Sequence, residues 1–496
     1  MPTAKKLKIL FVTSEVMPFC KSGGVADVSS ALPQKLIEQG HEVRLVVPKY
    51  GAIDERKFKI HEVVRLKDLK TKIGEKEITY SLRSSFLVGS KARVQLYLLD
   101  QPEYFGSRHS LYHDTSSGKE FEDNIERFSL LSHSVFDLIR LLGWIPDVIH
   151  CNDWQCGLVP AHLKTTYKDE EIFSDIRTLF TIHNLSSQGE FNKKHFNLLG
   201  LPEELNSNDS VLHKNKINFT KAGIIFADSI NTVSETYAKE ICEEKEQGCG
   251  LNEVLKARKS VQGIVNGIDN SIWNPEKDKL IEKKFSVKTI DNKEENKKTL
   301  VEKFGFDYNH DVPVISIISK LTKGKGIDII KSAFKDLMKL DVQVILLGAG
   351  EMEYEMFFEE ALMDYRDKFS CYIGFDDKLA HLIEAGSDML LMPSKHEPCG
   401  LNQMYSSIYG TIPIVRETGG LADTVENFDE KEFTGNGFVF QKFTAKDMLK
   451  EIKRAVNLYK NGNGAWTKLI KNGMNKDFSW NESTKKYIKL YKEILN

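Results

Sequence analysis

The sequence predicts an α/β protein with two domains, each built on a doubly wound and mainly parallel sheet. The chain has 496 residues, and single hydrophobic cores stop growing at about 250–300 residues, so two domains are expected. Short apolar runs recur in both halves without alternating with polar residues, which is typical of strands buried on both faces of a parallel sheet. Segments of helical pattern, such as 26–39 and 326–339, separate many of the runs and predict right-handed crossovers.

The predicted strands are the apolar runs themselves, five in each half of the chain. In order they are KILFV (8–12), VRLVVP (43–48), VQLYLL (94–99), DVIH (147–150), TLFTIH (178–183), PVISII (313–318), VQVILLG (342–348), MLLMP (389–393), IPIV (412–415) and GFVF (437–440). Between about 262 and 312 the runs thin out. The lysine- and glutamate-rich stretch there predicts a surface helix and a connection near a domain junction.

Composition excludes several classes of protein. The formal charge is −2, from 69 basic and 71 acidic residues, so neither a nucleic acid nor an anionic membrane is an expected partner. The seven cysteines include no CxxC pair, which predicts reduced thiols rather than disulfides or a zinc site. The first apolar run is too short for a signal peptide, and no run is long enough to span a membrane. We therefore predict a cytoplasmic protein, or a stromal one if a plastid transit peptide has been removed.

Polar and glycine-rich residues follow most of the predicted strands. In open α/β sheets, ligands bind outside the carboxyl ends of the strands, so these residues are candidates for a site. They are Lys21, Gly23 and Gly24; Asn152 and Asp153; His183 and Asn184; Lys320, Lys323 and Lys325; 348–351; 396–400; and 416–420.

The chemistry of these residues suits a sugar diphosphate. Glycine pairs let the backbone approach a phosphate, and the N–H groups at a helix start bind anions. Lysines supply positive charge, while Glu397, His183 and Asn184 could hydrogen-bond sugar hydroxyls. Taken singly, each signal also fits a turn or a satisfied polar group. The LLGAG run does not match GxGxxG, so a dinucleotide fingerprint is not supported.

Several longer strings carry a family resemblance over nearly the whole chain. They are KSGGVADV (21–28), HCNDWQCGLVPAHL (150–163), TIHNLSSQGEF (181–191), VNGIDNSIWNP (265–275), SKLTKGKGID (319–328), LLGAGE (346–351), SKHEPCGLNQMYSSIYGTIPIVRETGGLADTV (394–425) and DFSW (477–480). The chain resembles the bacterial glycogen synthases and plant starch synthases, and EPCGL and TGGLADTV are the most specific strings.

The resemblance implies a GT-B architecture, in which two Rossmann-like domains face each other across a deep cleft. The N-terminal domain, 1–261, would bind the acceptor and be completed by a C-terminal helix, 477–496. The second domain, 262–476, would bind the donor. The implied reaction transfers glucose from ADP-glucose to the non-reducing end of an α-1,4-glucan, with retention at the anomeric carbon and without a metal or other cofactor.

In the first half, the resemblance assigns four residues to the donor site: Lys21, Gly23, Gly24 and Asp27. Asp153 and His183 would line the acceptor side and the sugar. The His183 side chain or its carbonyl would face the transferring sugar as charge develops. Asn266, near the domain junction, would also bind the donor.

In the second half, Lys320 and Lys325 would hold the diphosphate. Glu397 would hold the sugar hydroxyls and stabilise an oxocarbenium-like state, and Phe375 would stack on the base. The other donor contacts are assigned to two loops, with Cys399, Gly400 and Leu401 in the first and Thr418, Gly419 and Gly420 in the second. No carboxylate is placed as a nucleophile, so we expect same-face attack in which the leaving phosphate takes the acceptor proton.

The sequence departs from the family pattern at several positions. It has KSGGV for KTGGL and HCNDWQ for HAHDWH, and Lys320 and Lys395 stand where the family has arginine. Lysine cannot form the planar, bidentate contact with a phosphate that arginine makes. Three alternatives follow: a related transferase using UDP-glucose or another acceptor, a catalytically weak glucan-binding or priming protein, and, less favoured, a phosphorylase using pyridoxal phosphate.

Overall fold

A computed structural model describes residues 6–88, 92–114, 118–462 and 464–496. Packing divides the chain into two units. Unit 1 contains the residues up to Val233, Ala238–Gly267 and Trp480–Asn496, and unit 2 contains Ser234–Tyr237 and Ile268–Ser479. The domain boundaries named above stay a prediction, and residues 1–5 of the predicted first domain lie outside the described residues.

Unit 1 is built on a nine-stranded sheet with the order β12-β11-β7-β6-β1-β2-β5-β4-β3. Its strands, with those of a small antiparallel sheet β8-β10-β9, are β1 Lys8–Val12, β2 Glu42–Pro48, β3 Leu69–Ile73, β4 Lys76–Val88, β5 Arg93–Asp100, β6 Val148–Asn152, β7 Arg177–Ile182, β8 Glu190–Asn192, β9 Leu212–His213, β10 Lys216–Asn218, β11 Ser229–Thr232 and β12 Val261–Gly263. The helices of this part of the chain are α1 Gly24–Glu38, α2 Asn124–Leu142, α3 Leu158–Lys164, α4 Phe219–Phe226, α5 Glu235–Glu243 and α6 Asn252–Lys256.

Unit 2 has a six-stranded, wholly parallel sheet with the order β15-β14-β13-β16-β17-β18. Its strands are β13 Val314–Ile318, β14 Gln343–Gly348, β15 Phe369–Ile373, β16 Met389–Met392, β17 Ile412–Arg416 and β18 Phe438–Phe440. Its helices are α7 Lys293–Lys303, α8 Ile327–Met338, α9 Met352–Asp364, α10 Asp377–Gly386, α11 Asn402–Ile408, α12 Gly419–Thr424, α13 Ala445–Asn461 and α14 Ala465–Met474. The last helix, α15 Trp480–Leu495, belongs to unit 1.

Each of the two large sheets has a point at which the strand order reverses. In unit 1, β1 lies between β2 and β6, and in unit 2, β13 lies between β14 and β16. Loops that leave neighbouring strands at such a point diverge, so a crevice opens at the carboxyl ends of these strands. Ligand-binding residues are therefore expected after β1, β6, β13 and β16. The order in unit 2 is that of a Rossmann sheet, and the prediction of two doubly wound α/β domains is confirmed.

The C-terminal helix packs against the large sheet of unit 1. Tyr491 on α15 hydrogen-bonds the His150 ring at 2.8 Å, and Ser483 donates to the Val265 carbonyl at 2.6 Å. Both Tyr487 and Tyr491 are fully buried. The last sixteen-residue helix therefore forms part of the core of a unit whose other residues lie more than 200 positions earlier.

The lysine-rich stretch is more buried than the sequence predicts. Lys293 and Lys297, on α7, are only 7% and 2% exposed. The Lys293 ammonium donates to the carbonyl oxygens of Ala385 and Tyr409 at 2.7 and 3.0 Å, and Lys297 pairs with Asp388 at 3.0 Å. The predicted surface helix is present and keeps an exposed face, but these two lysines are not solvated, because acceptors brought together by folding satisfy the buried charges.

Candidate functional site

The loop after β1 carries the first predicted group of site residues. Gly23 is the N-cap of α1 and Gly24 its first residue. The Lys21 ammonium pairs with Asp27, in the first turn of the helix, at 2.9 Å. A β-carbon at Gly23 or Gly24 would meet no atom within 4 Å. Packing among the described residues therefore does not require glycine at these two positions, and their role in donor binding stays a prediction.

Glu15 is a residue of this loop that the sequence analysis missed. Its carboxylate is 3% exposed and accepts hydrogen bonds from the backbone of Ser22 and Gly23. Glu15 comes three residues after the end of β1, but its residue type and position alone do not distinguish it from an exposed loop carboxylate. Only Lys21, Gly23, Gly24 and Asp27 were predicted among the residues that follow this strand.

Asp153 follows β6 and positions the backbone of the next loop. Its Oδ1 accepts from the N–H groups of His183 at 2.7 Å and Asn184 at 3.4 Å. Its backbone has φ 56° and ψ −178°, a conformation that costs a residue other than glycine about 1–3 kcal/mol. Burial raises the pKa of Asp153 to about 7, against the opposing effect of the two N–H groups. Asp153 thus orients the His183 loop.

The His183 ring is buried, neutral and fixed in one tautomer. The Asn152 amide nitrogen donates to the Val12 carbonyl at 3.0 Å, so its oxygen points to His183 and accepts from Nε2 at 2.9 Å. Burial lowers the pKa of the ring to about 3. Nε2 therefore carries the proton, and Nδ1 is an acceptor rather than a charged donor.

Asn266 provides a buried acceptor in unit 1. Its side chain is 6% exposed, and its Oδ1 has no hydrogen-bond partner among the described residues. Buried polar atoms without a partner are uncommon and expensive. This orphan oxygen is consistent with the predicted role of Asn266 in ligand binding.

In unit 2, the loops after β13 and β16 meet in a buried ion pair. The Lys325 ammonium lies 2.7 Å from both carboxylate oxygens of Glu397, and the Ser394 hydroxyl donates to the same carboxylate at 2.9 Å. Glu397 is 6% exposed. Gly326 (φ +77°) allows the contact, since a β-carbon there would lie 2.2 Å from the Pro393 carbonyl.

The two glycine loops of unit 2 also pack against each other. A β-carbon at Gly419 would lie 2.1 Å from the Glu397 carbonyl, and one at Gly420 would lie 2.0 Å from that of Cys399. The Gly420 N–H, which the resemblance assigned to the diphosphate, donates to the Glu397 carbonyl at 3.1 Å. Gly420 therefore packs closely against the backbone of the Glu397 loop, and its predicted contact with the donor stays a prediction.

The remaining predicted residues of unit 2 lie in loops that follow its strands. Gly400 has φ +71° and is followed by Leu401, the N-cap of α11, while Thr418 is the buried N-cap of α12. Lys320 is exposed after β13. Phe375 follows β15 and is 72% exposed, so its ring is available for stacking.

His183 should stay uncharged throughout the range in which a free histidine titrates. Because its pKa is lowered to about 3, NMR should show no protonation of this ring between pH 5 and 9, with His183→Gln assigning the resonance. The lowered pKa also stabilises the fold above the unfolded value of 6.5, and this contribution is lost as the pH falls from 6.5 towards 3. A midpoint near 6.5 would show that the ring is solvated.

Comparison with known proteins extends these observations. Residues 8–257 match the family model described as "Starch synthase catalytic domain", and residues 300–474 match "Glycosyl transferases group 1". The catalytic domain of starch synthase IV from Arabidopsis thaliana, bound to ADP and acarbose, superimposes with a TM-score of 0.89 at 30% identity, covering 99% of this chain and 100% of that one. Sucrose-phosphate synthase from Thermosynechococcus elongatus, at 15% identity with a TM-score of 0.60 and 99% coverage of both chains, shares the fold.

The fold and these matches define a glycosyltransferase of the GT-B class. The glycogen synthase of Thermosipho africanus (strain TCF52B) is 44% identical over 99% of both chains. That of Desulforudis audaxviator (strain MP104C) is 41% identical over 99% of this chain and 97% of its own. The chain belongs to the glycogen and starch synthase family, and its activity is glucosyl transfer in glycogen or starch synthesis. The predicted family, fold class and enzyme class are confirmed.

The family implies a nucleotide-sugar donor and a glucan acceptor. None of the helices in the described part of the chain is long and apolar enough to cross a membrane.

Proposed function

We propose that the enzyme transfers glucose from ADP-glucose to the non-reducing end of an α-1,4-glucan with retention at the anomeric carbon. The observation that carries the proposal is the Lys325–Glu397 pair, in which the ammonium lies 2.7 Å from both carboxylate oxygens. The pair lies in the loops that follow β13 and β16, where the strand order in the sheet of unit 2 reverses. Such a point is where nucleotides bind in open α/β sheets. The ADP bound to the Arabidopsis starch synthase supports adenine as the base.

In the proposed mechanism, Lys320 and Lys325 neutralise the diphosphate as it leaves. Glu397 holds sugar hydroxyls and stabilises the positive charge that develops on the sugar. The acceptor attacks the face from which the phosphate departs, and the phosphate takes the acceptor proton. Preorganised charge of this kind is a large contribution to enzymatic rate acceleration. The neutral His183 contributes as a hydrogen-bonding group and not as a general acid.

A direct assay tests the donor and the reaction class. Purified protein is incubated with glycogen and with labelled ADP-glucose or UDP-glucose. We expect incorporation with ADP-glucose to exceed that with UDP-glucose, and α-amylase to release the label. Preference for UDP-glucose would refute the assignment of the base, and binding of glycogen without incorporation would favour a glucan-binding protein. The cleft between the domains and the cytoplasmic localisation stay predictions.

Lys320 should serve the diphosphate less well than an arginine would. Lys320→Ala is expected to lower kcat/KM for ADP-glucose roughly 30- to 1000-fold, or about 2–4 kcal/mol, by removing a charge-assisted contact that strengthens as the leaving group gains charge. Lys320→Arg should match or exceed the native value because guanidinium binds phosphate with two parallel hydrogen bonds. Steady-state kinetics measures both.

The matched control for this prediction is Lys323→Ala, an exposed lysine of the same loop with no role in the proposal. Its kinetics should stay close to native. Native activity in Lys320→Ala would show that Lys320 is an ordinary surface residue.

A further inference from the structure

Glu15 is a buried carboxylate that the proposed mechanism does not use. It accepts four hydrogen bonds, all from neutral donors. Oε2 accepts from the Ser22 N–H at 2.5 Å and the Gly23 N–H at 3.0 Å, and Oε1 accepts from the Ser22 hydroxyl at 3.0 Å and the Tyr112 hydroxyl at 3.1 Å. Three of the four donors belong to the loop that also carries Lys21. The carboxylate therefore organises this loop.

The hydrogen bonds hold the backbone on both sides of Lys21. On one side, Val16 and Cys20 form two mutual backbone hydrogen bonds, at 3.1 and 2.9 Å. On the other side, Glu15 binds the N–H groups of Ser22 and Gly23, and Gly24 then begins α1. Lys21 thus lies between two fixed points, which restricts the directions its side chain can take.

A carboxylate suits this position better than any neutral group of the same size. Each of its oxygens accepts hydrogen bonds, whereas an amide presents one oxygen and one donor group. Burying the charge is costly, and burial raises the pKa of Glu15 above its ordinary value while the four donors oppose the rise. A residue needed only to fill space would avoid this cost.

We propose that Glu15 is a positioning residue for glucosyl transfer, which fixes the Ser22–Gly23 backbone and so places Lys21 and the Gly23–Gly24 pair for the nucleotide-sugar donor. The inference rests on the proposed role of this loop in donor binding. It predicts that substitution of Glu15 changes kcat/KM for the donor more than KM for the glucan.

The test is Glu15→Gln, which keeps the side-chain volume but replaces one accepting oxygen with an NH2 group that faces the hydrogen-bond donors of the loop. We expect kcat/KM for ADP-glucose to fall about 10- to 100-fold, the range for lost hydrogen bonds to a charged group, with KM for glycogen unchanged. Tyr112→Phe is the matched control, since it removes the one donor outside the loop and should leave donor kinetics near native. If Glu15→Gln does not fold, Glu15→Asp withdraws the carboxylate from the loop and should give the same donor-specific loss.

Two outcomes separate this inference from the proposed function. Lys21→Ala with native kinetics would refute the role of the loop itself. If Lys21→Ala lowers kcat/KM while Glu15→Gln lowers only the melting temperature, Glu15 is structural and the inference is wrong. The double variant should lose less than the product of the two single losses, because part of the effect of Glu15 acts through Lys21. If the loss in the double variant equals the product of the two single losses, the residues act independently and the proposal is wrong.

Discussion

Glu397→Gln is expected to lower turnover by about 100- to 10,000-fold, because the substitution removes a negative charge that stabilises the transition state in the proposed mechanism. Glutamine has nearly the same volume, so the loop should keep its shape. KM for ADP-glucose should change much less than kcat, since the charge on the sugar develops only during reaction. Single-turnover and steady-state incorporation of labelled glucose measure the effect.

The matched control is Glu451→Gln on α13. Glu451 is 7% exposed, close to the 6% of Glu397, and pairs with a basic residue, Arg454, at 3.1 Å, but it has no assigned role in transfer. The Glu451→Gln variant should have a slightly lower melting temperature and a turnover near native. Turnover of Glu397→Gln equal to that of Glu451→Gln would remove Glu397 from the reaction.

The burial of Glu397 also changes what an alanine variant would show. The position of Glu397 in a polar loop after a predicted strand predicts, from the sequence alone, that alanine would be tolerated with little loss of stability. The structure contradicts this, because the carboxylate is buried against Lys325 and Ser394. Alanine would leave the ammonium of Lys325 without its partner, so its effect on rate could not be separated from its effect on folding.

Lys325→Met is expected to lower kcat/KM for ADP-glucose about 100- to 1000-fold and to destabilise the protein. The rate falls because the variant lacks the positive charge that neutralises the leaving diphosphate. The destabilisation comes from leaving Glu397 buried without its counter-ion. We expect about 1–3 kcal/mol, less than for a fully buried pair, because the Lys325 side chain is 30% exposed. Kinetics and urea unfolding measure the two effects separately.

Lys331→Met provides the control for both effects. Lys331, on α8, pairs with Glu353 at 2.7 Å, but the two side chains are 34% and 70% exposed, and exposed pairs contribute little. Native kinetics and a nearly native free energy of unfolding are expected. If Lys325→Met retained native kcat/KM while losing stability, the lysine would serve only to neutralise Glu397.

Much of the fold could be predicted because buried parallel strands leave a local pattern. All ten predicted runs overlap strands of the structure. The pattern missed the other eight strands that the structure describes: β3, β4, β8, β9, β10, β11, β12 and β15. The longest of these is β4, Lys76–Val88, which forms an antiparallel hairpin with β3, Leu69–Ile73, at the edge of the sheet. Strands with one face exposed mix polar and apolar residues, and the continuous apolar runs used for prediction do not occur there.

In the candidate site, too, some features could be predicted from the sequence and others depend on the folded structure. The sequence by itself determined the family, the loops that carry polar residues and the glycine pairs, because these depend on residue type and order along the chain. Only the tertiary structure decided which groups meet. Lys325 and Glu397 are 72 positions apart and are joined because β13 and β16 are neighbours in the sheet. Whether a charge ends buried or exposed, as for Glu397 and Lys293, depends on acceptors and donors that distant segments supply, and no local pattern records them.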